Sequence, residues 1–151
     1  MISTMPKWIG NLLESAIGPR LTVLETTYIT PAIKKIRFQG DVSKMDFLIG
    51  GASVIRVSET EYRNYTVAYH SIEKGILEII FHVHGKGVGS HYSNTLKIGD
   101  ELHISSPRGR KEYDPKVKQY FIIGDETSLE LAYSFLPILK KNGHKFQIYF
   151  E

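Results

Sequence analysis

A basic side chain, a phenol and a hydroxyl follow one another in a single strand-like segment, at Arg63, Tyr65 and Thr66. Because side chains alternate across a strand, Arg63 and Tyr65 project from the same face. The planar donor fork of an arginine suits a pyrophosphate, and a tyrosine offers an aromatic plane for a flavin ring and a hydroxyl for its ribityl chain. Thr66 adds a short hydroxyl that can reach a ring nitrogen. Taken alone, the same residues also fit an ordinary amphipathic strand with an exposed arginine.

A glycine-rich loop follows one hairpin later, at residues 85–90. Its three glycines, the last of them Gly89, let the backbone approach a phosphate closely. The segment Val88–Thr95 can begin a helix, whose first free N–H groups attract anions, and Ser90 can add a hydroxyl. The alternative is a flexible loop between a strand and a helix. Together with Arg63, the loop predicts a site for a phosphate-bearing cofactor.

Three histidines, His82, His84 and His91, lie beside the same loop. His82 and His84 share a strand face, which meets the first requirement of a metal site. A third ligand at His91 requires the loop to fold back, and no carboxylate stands at ligand spacing. We therefore expect a polar lining or surface histidines here and no metal site.

Residues 124–128 join an apolar run to a helical pattern, which is the position where open α/β sheets bind ligands. The alternative is that Asp125 or Thr127 serves as an ordinary helix cap. No nucleophile and base stand at a spacing that favours hydrolysis.

Six short strand-like segments, separated by turn signals, predict a small antiparallel β-barrel within residues 19–115. The predicted strands cover residues 20–29, 33–38, 52–58, 62–70, 76–84 and 101–105. Ahead of them, apolar residues at helical spacing predict an N-terminal helix within residues 1–18, with Thr4 as its cap and Pro6 near the first turn.

The pattern changes after a charged stretch at residues 113–118. An apolar run at 119–123, a helical periodicity at 129–141 and a second apolar run at 145–150 predict one β-α-β unit with parallel strands. Residues 119–151 are interpreted as a truncated NAD(P)-binding unit. A two-stranded parallel sheet cannot cover itself, so either the chain is a fragment or this unit packs on the barrel or on another subunit.

The composition of the 151 residues narrows the class of function. A net charge of +3 is too small to indicate nucleic-acid binding. No apolar run approaches the length of about 20 residues needed to span a bilayer. The absence of Cys excludes disulfides and thiolate metal sites and agrees with a cytoplasmic location.

The order of the motifs resembles the siderophore-interacting proteins, FAD-dependent ferric-siderophore reductases within the ferredoxin-reductase-like superfamily. The superfamily shows an Arg-x-Tyr-Ser/Thr strand, a glycine loop ending in Ser or Thr, a Gly-Asp pair and a Pro-x-Gly turn. These stand here as Arg63-Asn64-Tyr65-Thr66, Gly89-Ser90, Gly99-Asp100 and Pro107-Arg108-Gly109. The narrower family is similar at His84-Gly85 and closest at Gly124-Asp125-Glu126-Thr127.

The resemblance implies FAD as the cofactor, NAD(P)H as the hydride source and a ferric siderophore as the electron acceptor. It implies that Arg63 binds the pyrophosphate, that Tyr65 contacts the flavin and ribityl chain, and that Thr66 lies at the reactive ring nitrogen. The resemblance also implies that His82, Val83 and His84 line the pyrimidine side of the ring. Gly89 and Ser90 are implied to cap the phosphates, and Thr127 to lie where flavin and nicotinamide meet.

The chain departs from the family in two places. The family continues past Glu151, where it supplies most of the nicotinamide site and the siderophore contacts, and residues 129–132 replace a small, Pro-containing run. Two hypotheses therefore stay open. One is an FAD oxidoreductase of the ferric-siderophore-reductase type; the other is a flavin-binding module without independent reductase activity, acting as a homo-oligomer or beside a partner.

Overall fold

The structure, a computed structural model, describes residues 4–151, so positions 1–3 of the predicted N-terminal segment lie outside it. Its elements form one six-stranded and one two-stranded sheet together with three α-helices. In chain order they are α1 (Lys7–Ile17), β1 (Arg20–Thr30), β2 (Ile33–Gln39), β3 (Ala52–Arg56), β4 (Tyr62–Ser71), β5 (Ile76–His82), α2 (Val88–Thr95), β6 (Glu101–His103), β7 (Gln119–Gly124), a 3₁₀ turn (Glu126–Ser128), α3 (Leu129–Lys141) and β8 (Lys145–Phe150).

The larger sheet is antiparallel, with strand order β3-β4-β5-β2-β1-β6, and it curls into a nearly closed barrel. A bridge between Ile55 and Ile104 joins the two outer strands. Alternate residues point inward, so that Ile36 pairs with Ile79 and Phe38 with Leu77 in a core that excludes water. This architecture confirms the predicted six-stranded antiparallel barrel.

The second sheet pairs β7 and β8 in parallel, joined by α3, as the apolar runs predict. One face packs under α3, where Ile122, Phe135 and Leu139 are buried. Its other face is open, and Phe121 and Ile123 are 58% and 73% exposed. The single helix of this unit thus covers one side of the sheet.

Helix α3 also fastens the small unit to the barrel. Leu129 packs against the buried Ala68 of β4 and Ile80 of β5, on the outer face of the barrel wall. Farther along α3, the Ser134 hydroxyl accepts a hydrogen bond from the Gly50 N–H at 3.1 Å. Of the arrangements expected for this unit, the structure shows packing on the barrel.

The predicted N-terminal helix exists, but the prediction of its cap is wrong. Pro6 precedes the helix, whereas Thr4 forms an isolated bridge with Glu61. A proline suits this position because it has no N–H to leave unpaired. None of the helices within residues 4–151 is long and apolar enough to cross a membrane.

Three strands end before their predicted limits. Strand β5 stops at His82, two residues early, and the chain turns at Gly85, whose φ is +74°. Strands β3 and β6 likewise end two residues early, at Arg56 and His103. The apolar pattern continues past each strand end because the following residues still face the core.

Candidate functional site

Three predicted groups converge where β4 meets the start of α2. A Cβ atom placed on Gly89 would lie 2.6 Å from the Tyr65 hydroxyl oxygen and 3.3 Å from Cγ of Arg63. Such a separation from Tyr65 is closer than real Cβ atoms allow, so a larger residue at Gly89 would have to displace the Tyr65 side chain or the loop. The glycine therefore lets the loop backbone lie directly against Arg63 and Tyr65.

The outer side of the glycine loop is open. Gly85 and Gly87 have φ values of +74° and +77°, and a Cβ on either would meet no atom within 4 Å. No side chain caps the start of α2 at Gly87. The buried Ser90 hydroxyl accepts a hydrogen bond from the Gly85 N–H at 3.1 Å and so braces the loop. The N–H groups of Gly85 and Lys86 are bonded within the loop, so the donors left for an anion are those at the uncapped start of α2.

Arg63 is held in place but remains accessible. One terminal nitrogen of its guanidinium lies 2.9 Å from Glu61, and the other donates to the Tyr62 carbonyl oxygen at 2.9 Å. Its side chain is 40% exposed. Ion pairs this exposed contribute little stability, so an incoming anion can replace Glu61 at small cost.

Tyr65 presents a neutral phenol beside Arg63. Its ring packs edge-on against Phe81, with the ring centroids 4.7 Å apart. Burial raises the pKa of Tyr65 to about 12, and the positive charge of Arg63 only partly opposes this rise. The hydroxyl therefore keeps its proton at physiological pH and can donate a hydrogen bond. Thr66, the next residue, is partly buried and pairs with Ala52 of β3.

The histidines lie where the barrel meets the α/β unit. His82 Nε2 is 3.8 Å from a carboxylate oxygen of Glu126, and the His82 and His84 rings are 5.2 Å apart. His84 also accepts a hydrogen bond from the Lys86 N–H through Nδ1. Val83 is partly buried against the barrel core. Among the described residues no three His, Asp or Glu side chains cluster as metal ligands.

The turn after β7 has the geometry of a helix cap. The Thr127 N–H and hydroxyl both donate to Asp125 Oδ1, at 2.9 Å and 2.6 Å. These two hydrogen bonds hold the pKa of Asp125 below its usual value. Thr127 is exposed at the junction, next to Glu126, which pairs with His82.

Sequence reasoning missed a buried carboxyl at this junction. Glu130 is 8% exposed, and its Oε2 atom has no hydrogen-bond partner among the described residues. Burial raises the pKa of Glu130 to about 7; its own backbone N–H lowers it and Asp125 raises it further. The pattern carries no signal for this burial, since acidic residues in the first turn of a helix usually face solvent and favour the helix dipole.

A second missed residue, Lys34, fixes the helix that carries the glycine loop. It is 3% exposed, and its ammonium donates to the carbonyl oxygens of Ser93, Asn94 and Leu96 at 2.7 to 3.0 Å. A cation at the carbonyl end of α2 suits the helix dipole. The signal was present in the sequence, because Lys34 stands in phase with Ile36 on the inward face of β2.

A cavity of about 620 Å³ lies on the other side of Arg63, between α1 and the barrel. Leu13 and Ile17 of α1 line it, with Asn64 of β4 opposite them. Neither Tyr65 nor the glycine loop borders it. Arg63 therefore stands between this cavity and the glycine loop.

Comparison with known proteins agrees with this geometry. The family model for the oxidoreductase FAD-binding domain matches residues 20–113. The NADH-cytochrome b5 reductase 1 of Dictyostelium discoideum is 29% identical over 72 residues, which cover 48% of this chain and 23% of that protein. The chain thus spans less than a quarter of the curated relative's length.

Solved structures share the fold at low sequence identity. A siderophore utilization protein from T. fusca superposes with a TM-score of 0.75 at 23% identity, over 87% of this chain and 59% of that one. Phthalate dioxygenase reductase gives a TM-score of 0.75 at 18% identity, over 87% of this chain and 43% of that one. Both likenesses extend beyond the barrel into the α/β unit.

The donor set fits FAD. An arginine fork and uncapped backbone N–H groups suit the two phosphates, and a neutral phenol against a partly apolar wall suits the flavin and its ribityl chain. Gly89 lets the start of α2 lie against Arg63 and Tyr65, which brings these donor groups together. With the family model matching 94 of the 151 residues, the chain belongs to the oxidoreductase FAD-binding domain family.

Proposed function

We propose that this chain is the flavin-binding part of an NAD(P)H-dependent oxidoreductase of the ferric-siderophore-reductase type. The observation that carries the proposal is the close approach of Gly89, at the start of α2, to Arg63 and Tyr65 of β4. An arginine and an uncapped helix start suit the phosphates of FAD, and the neighbouring phenol suits its flavin and ribityl chain.

The phosphate end of the cofactor is assigned to three residues. Arg63 exchanges Glu61 for the pyrophosphate, to which its fork can donate two parallel hydrogen bonds. Gly89 brings the first N–H groups of α2 to the same phosphates, and Ser90 holds the loop in the required shape. Lys34 supports this end by fixing the far end of α2.

The ring end is assigned to residues nearer the α/β unit. Tyr65 contacts the flavin and ribityl chain, and Thr66 offers its hydroxyl to the reactive ring nitrogen. His82, Val83 and His84 line the pyrimidine side, and Thr127 faces the place where flavin and nicotinamide meet. When bound, FAD supplies the redox chemistry, and the protein's part is to position it and exclude competing reactions.

The finer assignment, to ferric-siderophore reduction, has two supports. One is residues 124–127, the Gly-Asp-Glu-Thr turn, which the structure places beside His82. The other is the likeness to the siderophore utilization protein from T. fusca. One hydride from NAD(P)H carries two electrons, enough to reduce two ferric ions one at a time, and ferrous iron then leaves its chelator.

The second candidate function is a flavin-binding module without reductase activity of its own. Its support is the small size of the α/β unit, whose sheet has two strands and one open face. Phe121 and Ile123 on that face are available to a partner or to a second copy of the chain. In this reading the chain holds the flavin while another surface completes the nicotinamide site.

The visible spectrum of the purified protein separates the two candidates. Both candidates predict that the protein keeps flavin absorbance after FAD has been added and unbound FAD removed. Anaerobic NADPH or NADH should bleach the loaded protein under the first candidate, with ferrous iron then appearing from a ferric siderophore. Under the second, only dithionite bleaches it. Protein that gains no flavin absorbance at all would contradict both.

A further inference from the structure

The carboxyl of Glu130 is buried at the contact between α3 and the barrel. Its neighbours in the chain hold it there. Leu129 packs against Ala68 and Ile80 of the barrel wall. Leu131 lies so close to Gly50 that a Cβ atom added to Gly50 would be 2.9 Å from Cδ1 of Leu131. Oε2 of Glu130 is sealed from water and has no hydrogen-bond partner among the described residues.

A carboxyl in this position is costly unless it is protonated. Removing an ionised group from water without a partner costs several kcal/mol, whereas an apolar residue of similar size would only gain from burial. Glu130 interacts electrostatically with Tyr65 of β4 and with Asp125 of the turn after β7, and neither of these residues is a cation. The nearby His82 acts on Asp125 and pairs with Glu126.

We propose that Glu130 couples FAD binding to proton uptake, its carboxyl taking one proton from solvent when the cofactor settles against Tyr65. This inference rests on the proposed placement of FAD. The balance is simple: one hydrogen ion moves from water to the carboxylate, and no other bond changes. Glu130 is a positioning and charge-compensating residue in this account, not one that reacts.

The direction of the coupling follows from charge. FAD brings two negative phosphates and a ring that displaces water, and both disfavour a carboxylate close by. Because the pKa of Glu130 is about 7 before binding, part of the population is ionised at neutral pH and must be protonated in the complex. FAD binding should therefore weaken as the pH rises through the pKa of Glu130. At pH 5 the carboxyl is already protonated, so FAD binding should take up no proton there.

Calorimetry of FAD binding to the full chain tests the coupling. Titrations at pH 5.5 and 7.5, in buffers of different ionisation enthalpy, give the number of protons taken up. Fluorescence titrations give the dissociation constant at each pH. The variants are Glu130→Gln, which keeps the shape, and Glu73→Gln as a control on the exposed β4–β5 turn.

We expect wild-type protein and Glu73→Gln to take up protons when they bind FAD at pH 7.5. Their affinity for FAD should fall by up to about tenfold between pH 6 and 8.5. Glu130→Gln should lose most of both effects. Equal proton uptake in Glu130→Gln and wild type would overturn the inference and assign the coupling to a histidine. Failure to bind FAD at any pH would overturn the proposed function as well, so the two failures are distinguishable.

A carboxyl NMR titration covers the case in which Glu130→Gln does not fold. In wild-type protein with ¹³C-labelled glutamate, the Glu130 midpoint should lie well above those of the surface glutamates and rise again when FAD is added. A midpoint that FAD leaves unchanged would overturn the inference without any variant.

Discussion

The barrel and the α/β unit bury their strands in opposite ways. In the barrel the six strands curl until the edges of the sheet nearly meet, and Phe38 and Ile79 lie in an interior that water does not reach. The α/β unit has two strands and one helix, so the far face of its sheet keeps Phe121 and Ile123 in water. Closure rather than hydrophobic content separates the two regions, since both sequences are rich in apolar residues.

The comparison also separates the two halves of the candidate site. Arg63, Tyr65 and Gly89 belong to the barrel and to the helix that Lys34 ties to it. The α/β unit contributes Thr127 and Glu130 from the few residues nearest the barrel. We therefore expect the barrel to dominate both stability and cofactor affinity, and the α/β unit to adjust them.

The largest expected effect concerns the two hydrophobic surfaces. Phe38→Ala should destabilise the protein by about 3–5 kcal/mol, because it leaves a cavity in a closed core. Ile123→Ala, on the open face, should change the free energy of unfolding by less than about 0.5 kcal/mol. Urea unfolding followed by circular dichroism measures both. Similar losses would mean that the open face is covered in solution.

The next effect concerns Glu130, where the two regions meet. Its pKa is raised from 4.5 to about 7 in the folded protein, so between these values the folded state binds the extra proton. The contribution of Glu130 to stability is therefore fully present below pH 4.5 and is lost as the pH rises through this window, by at most about 3 kcal/mol. Glu130→Gln should flatten that fall in urea unfolding at pH 5, 6, 7 and 8. A slope unchanged in Glu130→Gln would contradict the assignment.

Cofactor affinity should distinguish the two halves of the site. Arg63→Ala is expected to weaken FAD binding by about 1.5–3 kcal/mol, the scale of a charge-assisted hydrogen bond. Thr127→Ala should cost less than about 0.5 kcal/mol, because its hydroxyl is already bonded to Asp125. Arg110→Ala, at an exposed arginine, is the control for lost charge. An unchanged dissociation constant in Arg63→Ala would refute the pyrophosphate role.

The smallest effect on affinity is expected at Thr66. Thr66→Ala should change the dissociation constant of FAD by about 0.5 kcal/mol or less while shifting the flavin's midpoint potential, since a hydroxyl at the reactive nitrogen acts on electronics more than on binding. Spectroelectrochemical titration measures the shift. Affinity losses of equal size in Thr66→Ala and Arg63→Ala would contradict this division of roles.

Local sequence patterns predict most of the secondary structure of this protein and several of its candidate site residues. The alternation of Ile36 and Phe38 with polar residues predicts a strand with one buried face, and the turn residues between strands predict an antiparallel barrel. The spacing from Arg63 to the glycine loop predicts that both serve one phosphate site. The prediction of Thr4 as the helix cap is wrong because the capping residue depends on where the helix begins. The helix begins after Pro6.

Pattern could not reveal how the two regions meet. Glu130 looks like any acidic residue in a first helical turn, and its burial arises from Leu129 and Leu131 contacting strands far away in the sequence. The period of β2 places Lys34 on the inward face with Ile36, but it does not show that α2 brings three carbonyl oxygens to the ammonium. Both residues find their neighbours through long-range contacts, which local pattern does not specify.

The sequence alone determined the barrel, the small β-α-β unit and the candidate groups for a phosphate-bearing cofactor, because hydrophobic period, turn chemistry and side-chain donors act over a few neighbouring residues. Only the tertiary structure decided that the glycine loop touches Tyr65, that Lys34 secures α2, and that a carboxyl lies sealed beside the site. Those outcomes depend on which surfaces exclude water from each other, and that is a property of the assembled chain.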